Sequence, residues 1–104
     1  MSLLASLLGR QPVEGYVRGE LGSYTYEARL TRGTVSYGLD PDSLYKGWSR
    51  LARLVIYQKL TGDPEGPTRK LASYDRGWHF GRQKHLALVR RVVRQLDRHC
   101  GGIA

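Results

Sequence analysis

The chain has 104 residues with 17 basic and 9 acidic side chains, which gives a formal net charge of +8. This length suits a single domain spanning residues 1–104 and excludes most large enzyme folds, such as a barrel of about 250 residues. A 40% hydrophobic content with seven tyrosines and two tryptophans argues against a disordered chain. The single cysteine cannot form an internal disulfide, so packing must hold the fold, which suits a cytoplasmic protein.

Residues 1–10 are predicted to form a short N-terminal helix. Leu3/Leu7 and Leu4/Leu8 are spaced by one helical turn, and Gly9 can end the helix. A membrane span needs about 20 apolar residues, so we expect no membrane contact. The leucines are expected to cover either the core of this chain or a second copy in a homo-oligomer.

Residues 13–39 are predicted to form three strands, at 13–17, 24–30 and 35–39. In the second strand, apolar and polar residues alternate, the apolar set being Tyr24, Tyr26, Ala28 and Leu30. Arg32-Gly33 is typical of a turn. Short glycine-containing turns between these strands favour an antiparallel meander.

The middle of the chain continues this pattern. Residues 40–43 predict a turn, residues 51–57 a central strand and residues 62–67 a loop with two prolines. Residues 71–74 predict a fifth strand. The whole sheet is therefore expected within residues 13–78.

Residues 82–100 are predicted to form a basic amphipathic helix. Its apolar residues recur at helical spacing, namely Leu86, Val89, Val93, Leu96 and Cys100, and Gly101-Gly102 ends it. Packing this stripe on one face of a sheet of about five antiparallel strands gives an α+β fold.

The positive charge lies mostly in the last third of the chain. Residues 1–66 carry eight basic and seven acidic side chains, whereas residues 67–104 carry nine basic and two acidic ones. Arginine predominates, and guanidinium suits bidentate contact with phosphate or carboxylate. The predicted binding residues for nucleic acid or another anionic partner are Arg69, Lys70, Arg76, Arg82, Lys84, Arg90, Arg91, Arg94 and Arg98. A solubilising surface remains the alternative.

Residues 74–78 (Tyr-Asp-Arg-Gly-Trp) allow two interpretations. In the structural one, Gly77 takes a positive φ and Trp78 folds back on the sheet. In the functional one, Trp78 and His79 join Arg76 in a binding surface. Asp75 and His79 could act as a general base, but no nucleophile is fixed beside them. His85 and His99 lie about 21 Å apart on a helix, too far to share a metal, so we expect no metal and no cofactor.

Five segments, taken in order, resemble a small family of uncharacterised bacteriophage and prophage proteins. They are Gly15, residues 24–28, 36–39, 50–54 and the Tyr-Asp-Arg-Gly-Trp signature at 74–78. This chain departs from that family at residues 40–49, which look like an insertion, and in its arginine-rich helix. The resemblance implies a mobile-element origin, the host cytoplasm as location and a host-defence inhibitor, for example an anti-CRISPR protein.

The sequence therefore predicts a non-enzymatic binding protein that acts on nucleic acid or a nucleic-acid-containing host complex through its basic helix. The alternative is a protein–protein interaction or assembly factor that docks on an acidic surface. A small nuclease or hydrolase using Asp75 and His79 is the remote alternative.

Overall fold

The computed structural model describes residues 13–104, which form five strands and one helix. The elements are β1 (Gly15–Leu21), β2 (Tyr24–Leu39), β3 (Lys46–Lys59), β4 (Thr68–Asp75), β5 (Trp78–Phe80) and α1 (Leu86–His99). The strands lie in the order β1-β2-β3-β4-β5, and each pairs antiparallel with the next. The predicted α+β meander is thus confirmed. The predicted N-terminal helix and its leucines lie outside the described residues.

One face of the sheet packs against α1, and the other face is open. Alternate residues of the three central strands point toward α1, including Tyr26, Ala28, Leu54, Ile56 and Tyr74. The helix contributes Val89, Val92, Val93 and Leu96, all of them buried. Full burial of each such side chain is worth about 1.5–3 kcal/mol. The intervening residues form what we call the open face, where polar side chains predominate.

The predicted turn at Arg32-Gly33 is wrong, because β2 runs through it as one bent strand. Leu30 pairs with Leu51 and Val35 pairs with Ser49, so β2 bulges between these two pairs. Inside the bulge, the Thr31 hydroxyl donates to the Gly33 carbonyl at 2.6 Å. The predicted third strand, residues 35–39, is therefore the end of β2. The fifth strand is β5, which the sequence did not predict.

A buried guanidinium ties the bulge to the end of the chain. Arg50 is 6% exposed, and its Nε donates to the Thr31 carbonyl at 3.0 Å. Its Nη1 donates to the Cys100 carbonyl at 3.1 Å and to that of Gly102, and its Nη2 donates to the Val13 carbonyl. The carbonyls at the C-terminal end of α1 carry partial negative charge, which favours a cation there. We call Arg50 and these four carbonyl partners the C-terminal clamp.

The helix begins at Leu86, later than predicted, because residues 82–85 form a turn. Its predicted end is confirmed: Gly101 and Gly102 both adopt positive φ, and the Gly102 amide donates to the Asp97 carbonyl at 3.0 Å. Within residues 13–104, no helix is long and apolar enough to cross a membrane.

Candidate anion-binding surfaces

The basic residues predicted from the sequence fall into distinct places on the fold. Four belong to α1, three line a groove beside the start of α1, one lies on the open face and one is bound by the molecule itself. Arg91, Arg94 and Arg98 are exposed on α1, and Arg90 is half-buried beside them. We call Arg91, Arg94 and Arg98 the helix ridge.

The helix ridge is not neutralised by nearby carboxylates. Asp97, the one acidic residue of α1, instead accepts the Ile103 amide at 2.8 Å. Across residues 13–104, the ion pairs within 4.0 Å are Arg18–Glu27, Arg32–Glu14 and Lys59–Glu20. The helix ridge therefore faces solvent with its charge unpaired by the described part of the chain.

A groove of about 560 Å³ lies beside the start of α1. Its basic residues are Arg69, Lys70 and Lys84, and its rings are those of Tyr24, Phe80 and His85. No acidic residue lines the groove in the described chain, and the first turn of α1 holds none either. The positive end of the helix dipole adds to the field there. We call this the side groove.

Arg82, by contrast, serves the fold. Its Nε donates to the Leu44 carbonyl at 2.8 Å, and its Nη2 donates to the Ser43 carbonyl at 3.0 Å. The guanidinium also lies 3.4 Å from the ring centroid of Tyr45. Arg82 therefore fixes the loop between β2 and β3, so it is a poor candidate for binding an external anion.

The Tyr-Asp-Arg-Gly-Trp segment forms the turn between β4 and β5, but Arg76 and not Gly77 takes the positive φ, at 62°. Trp78 folds back as predicted: its ring meets Tyr74 edge-on at 5.3 Å, and its Nε1 donates to the Leu44 carbonyl at 2.8 Å. His79 is exposed and lines a different surface. Because neighbouring residues of a strand point to opposite faces, Trp78 and His79 do not share one surface.

The open face holds a cleft of about 730 Å³ that the sequence did not predict. One row of paired residues crosses four strands and lines it: Tyr16, Arg29, Arg53 and Asp75. Tyr37, Arg76 and His79 complete its rim, together with small side chains. We call this the open cleft. Asp75 and His79 both line it, but no hydrogen bond joins their side chains among those of residues 13–104.

Burial shifts the titration of groups in the core. Burial raises the pKa of Tyr74 to about 12, and its hydroxyl donates to the carbonyls of Tyr37 and Gly38 at 2.9 and 2.8 Å. Burial also raises the pKa of the Cys100 thiol, which lies against the core. No group of three His, Cys, Asp or Glu side chains among residues 13–104 is placed to hold a metal ion.

The fold and these surfaces define a small α+β protein with cationic surfaces on both faces of an antiparallel sheet. No protein-family model matches the chain, and neither a curated protein nor a solved structure matches it with significant similarity.

Proposed function

We propose that this chain is a non-enzymatic nucleic-acid-binding protein that uses the helix side of the molecule. The observation that carries the proposal is a set of six basic side chains without ion-pair partners among residues 13–104. These are the three arginines of the helix ridge and the three basic residues of the side groove. A mobile-element origin and a role against host defences remain predictions from the sequence resemblance.

The spacing of the helix ridge suits a phosphate backbone. Arg91 and Arg98 are separated by about 10 Å along α1, since a helix rises about 1.5 Å per residue. The ridge is therefore long enough to contact more than one phosphate of a strand. Each guanidinium can donate two parallel hydrogen bonds to a phosphate.

The side groove adds a place for a base. Phe80 is 47% exposed, and Tyr24 lines the same groove. Base stacking on an aromatic side chain is worth about 1–3 kcal/mol and tolerates any base. This combination favours single-stranded nucleic acid, whose bases are free to stack, over a duplex.

Salt dependence tests the proposal. If six phosphates of a single strand are neutralised, log K should fall with log salt at a slope of about −4. The triple variant Arg91→Gln, Arg94→Gln, Arg98→Gln should reduce that slope by about 2. Fluorescence anisotropy with a labelled oligonucleotide measures both.

The matched control removes the same charge from residues that already have partners. Arg18→Gln, Arg32→Gln, Lys59→Gln takes away the three basic residues that form ion pairs. This control should keep the slope of the unaltered protein. A flat salt response, or an equal loss in both triple variants, would overturn the proposal.

A second candidate is docking on an acidic protein, and one observation favours it. Trp48 is 69% exposed and Tyr45 is 56% exposed. Exposed tryptophan and tyrosine are enriched among the residues that dominate protein interfaces. If this candidate is correct, a partner captured from the host should survive nuclease treatment and be lost with Trp48→Ala. Release of the partner by nuclease would exclude it.

A further inference from the structure

We propose that the open cleft is a separate binding site for a nucleotide-type ligand, meaning a phosphate carried on a polar ring system. The cleft lies on the face opposite the helix ridge and shares no residue with the ridge or the side groove. The inference therefore stands apart from the proposed function. It rests on three features of the cleft. Two arginines face each other, a third arginine lies above a tyrosine ring, and the row of paired residues that lines the cleft has an aromatic ring at one end and a carboxylate at the other.

The facing arginines are the first feature. Arg29 and Arg53 are direct partners in the register of β2 and β3, and like charges directly opposite each other destabilise a sheet. On the same face, by contrast, Arg18 lies opposite Glu27 and forms an ion pair at 3.7 Å.

The ion pairs found among residues 13–104 involve neither Arg29 nor Arg53. In this part of the chain, no carboxylate therefore lies within 4.0 Å of either guanidinium. A doubly charged phosphate between the two guanidinium groups would relieve their repulsion. It would also accept hydrogen bonds from both of them.

The third cation is held in place by the fold. Arg76 adopts a left-handed backbone conformation, which is unfavourable for a residue other than glycine, and its guanidinium lies 5.0 Å from the ring centroid of Tyr37. Tyr37 is itself held by the hydrogen bond from the buried Tyr74 hydroxyl to its carbonyl. The turn between β4 and β5 thus directs a guanidinium toward the cleft.

The ends of the row indicate what the phosphate is attached to. Tyr16, which is 69% exposed, offers a ring at one end, and Asp75 offers a carboxylate at the other. Because neighbouring strands are about 4.8 Å apart, the row spans about 14 Å. A carboxylate repels a bare phosphate but accepts hydrogen bonds from sugar hydroxyls or amino groups. A nucleotide offers a base to stack on the Tyr16 ring and hydroxyl or amino donors to the Asp75 carboxylate, whereas inorganic phosphate offers neither group.

Calorimetric titration with four probes tests the site: inorganic phosphate, adenosine, adenosine 5′-monophosphate and a short 5′-phosphorylated single strand. We expect the monophosphate to bind more tightly than phosphate or adenosine. Arg53→Gln should weaken its binding by about tenfold or more, since one bidentate contact is lost. Arg18→Gln, on the same face but ion-paired, should change nothing.

The Asp75→Asn variant gives a sharper readout than affinity alone. It should strengthen binding of inorganic phosphate while reducing the preference for the monophosphate over phosphate, which a purely structural role would not do. Arg53→Lys, which keeps the charge but loses the bidentate geometry, serves as a second variant if Arg53→Gln folds poorly by circular dichroism.

The probes also separate the two sources of such a ligand. Tighter binding of the monophosphate indicates a free nucleotide. Tighter binding of the phosphorylated strand indicates a strand end only if Arg53→Gln weakens it, since the helix ridge is also expected to bind a single strand; both results support the site. The inference is overturned if the monophosphate shows no saturable binding at millimolar concentration and Arg53→Gln leaves binding of the phosphorylated strand unchanged. The helix-ridge triple variant should keep monophosphate binding, so failure here is distinguishable from failure of the proposed function.

Discussion

Two arginines of β3 illustrate two different uses of the same side chain. Arg50 is buried, and the carbonyls of the C-terminal clamp accept its hydrogen bonds. Arg53 lies three residues further along β3, is half-buried and pairs with Arg29 of β2. Among residues 13–104, its side chain has one hydrogen-bond acceptor, the Tyr16 hydroxyl at 3.5 Å. Within residues 13–104, the first guanidinium donates to four carbonyls and the second to one hydroxyl.

This contrast teaches that a count of arginines does not locate a binding surface. What matters is whether the donors of each guanidinium already have acceptors. Arg82 follows Arg50 in this respect, since carbonyls of the β2–β3 loop hold it. The arginines of the helix ridge resemble Arg53, because no ion-pair partner is found for them among residues 13–104. The following predictions test this division, beginning with the largest expected effect on stability.

Removing the buried guanidinium should have the largest effect. Arg50→Met leaves one buried and three partly buried carbonyls without this donor, and we expect a loss of about 3–5 kcal/mol in the free energy of unfolding, as for breaking a buried charged network. Urea denaturation measures it. Arg53→Met is the matched control and should cost less than about 1 kcal/mol. A larger loss in the control would break the comparison.

Raising the pH should weaken the part of the fold that supports the open cleft. The pKa of Tyr74 is raised to about 12 in the folded state, against about 10 when unfolded. Its contribution is therefore complete below pH 10 and is lost between pH 10 and 12, amounting to about 2–3 kcal/mol. Thermal unfolding at stepped pH measures this.

The matched variants for this test are Tyr74→Phe and Tyr45→Phe. Tyr74→Phe should be less stable at neutral pH, because the Tyr37 and Gly38 carbonyls lose their donor. It should also show a smaller further loss above pH 10. Tyr45→Phe, in which the altered side chain is exposed, should follow the unaltered protein. An identical alkaline loss in all three proteins would contradict the assignment to Tyr74.

Reversing one charge of the facing arginine pair should increase stability. Arg29→Glu places opposite charges across β2 and β3, and we expect a gain of about 0.2–1 kcal/mol. Differential scanning calorimetry measures it. Arg32→Glu, on the same strand, replaces an ion pair with Glu14 by a like-charge contact and should lose stability instead. Arg29→Glu should also lose binding of adenosine 5′-monophosphate. A stability loss in Arg29→Glu would show that the pair serves the fold.

The helix-ridge substitutions should affect stability least. Changing Arg91, Arg94 and Arg98 to glutamine removes like charges spaced by one turn, which is worth a few tenths of a kcal/mol in favour of the helix. The melting temperature should therefore stay nearly constant while nucleic-acid affinity falls. A marked loss of stability would mean that these arginines have structural partners.

The local features of the fold were predictable from the sequence. The apolar stripe of α1, its end before Gly101-Gly102 and the loop before β4 follow from short-range periodicity and turn residues. The continuation of β2 through Gly33 was not predictable, because a glycine permits a bulge as readily as a turn. Whether β2 bends or reverses depends on pairing with β3, which lies far along the chain.

The candidate sites show the same limit. The helix ridge was predictable because its arginines follow each other at helical spacing. Arg29 and Arg53 are isolated among other residue types in the sequence, and only the register of β2 against β3 brings them together. The inward turn of Arg82 likewise depends on carbonyls of a distant loop. Contacts set by pairing cannot be read from neighbours in the chain.

The C-terminal clamp also provides a natural reporter. Cys100 is the one thiol in the sequence, it is 3% exposed, and its carbonyl accepts a hydrogen bond from Arg50. A thiol reagent can reach it only when this corner of the molecule opens, so the labelling rate measures how often that happens. The labelling rate of Cys100 thus reports how often the C-terminal residues open locally, without an engineered label.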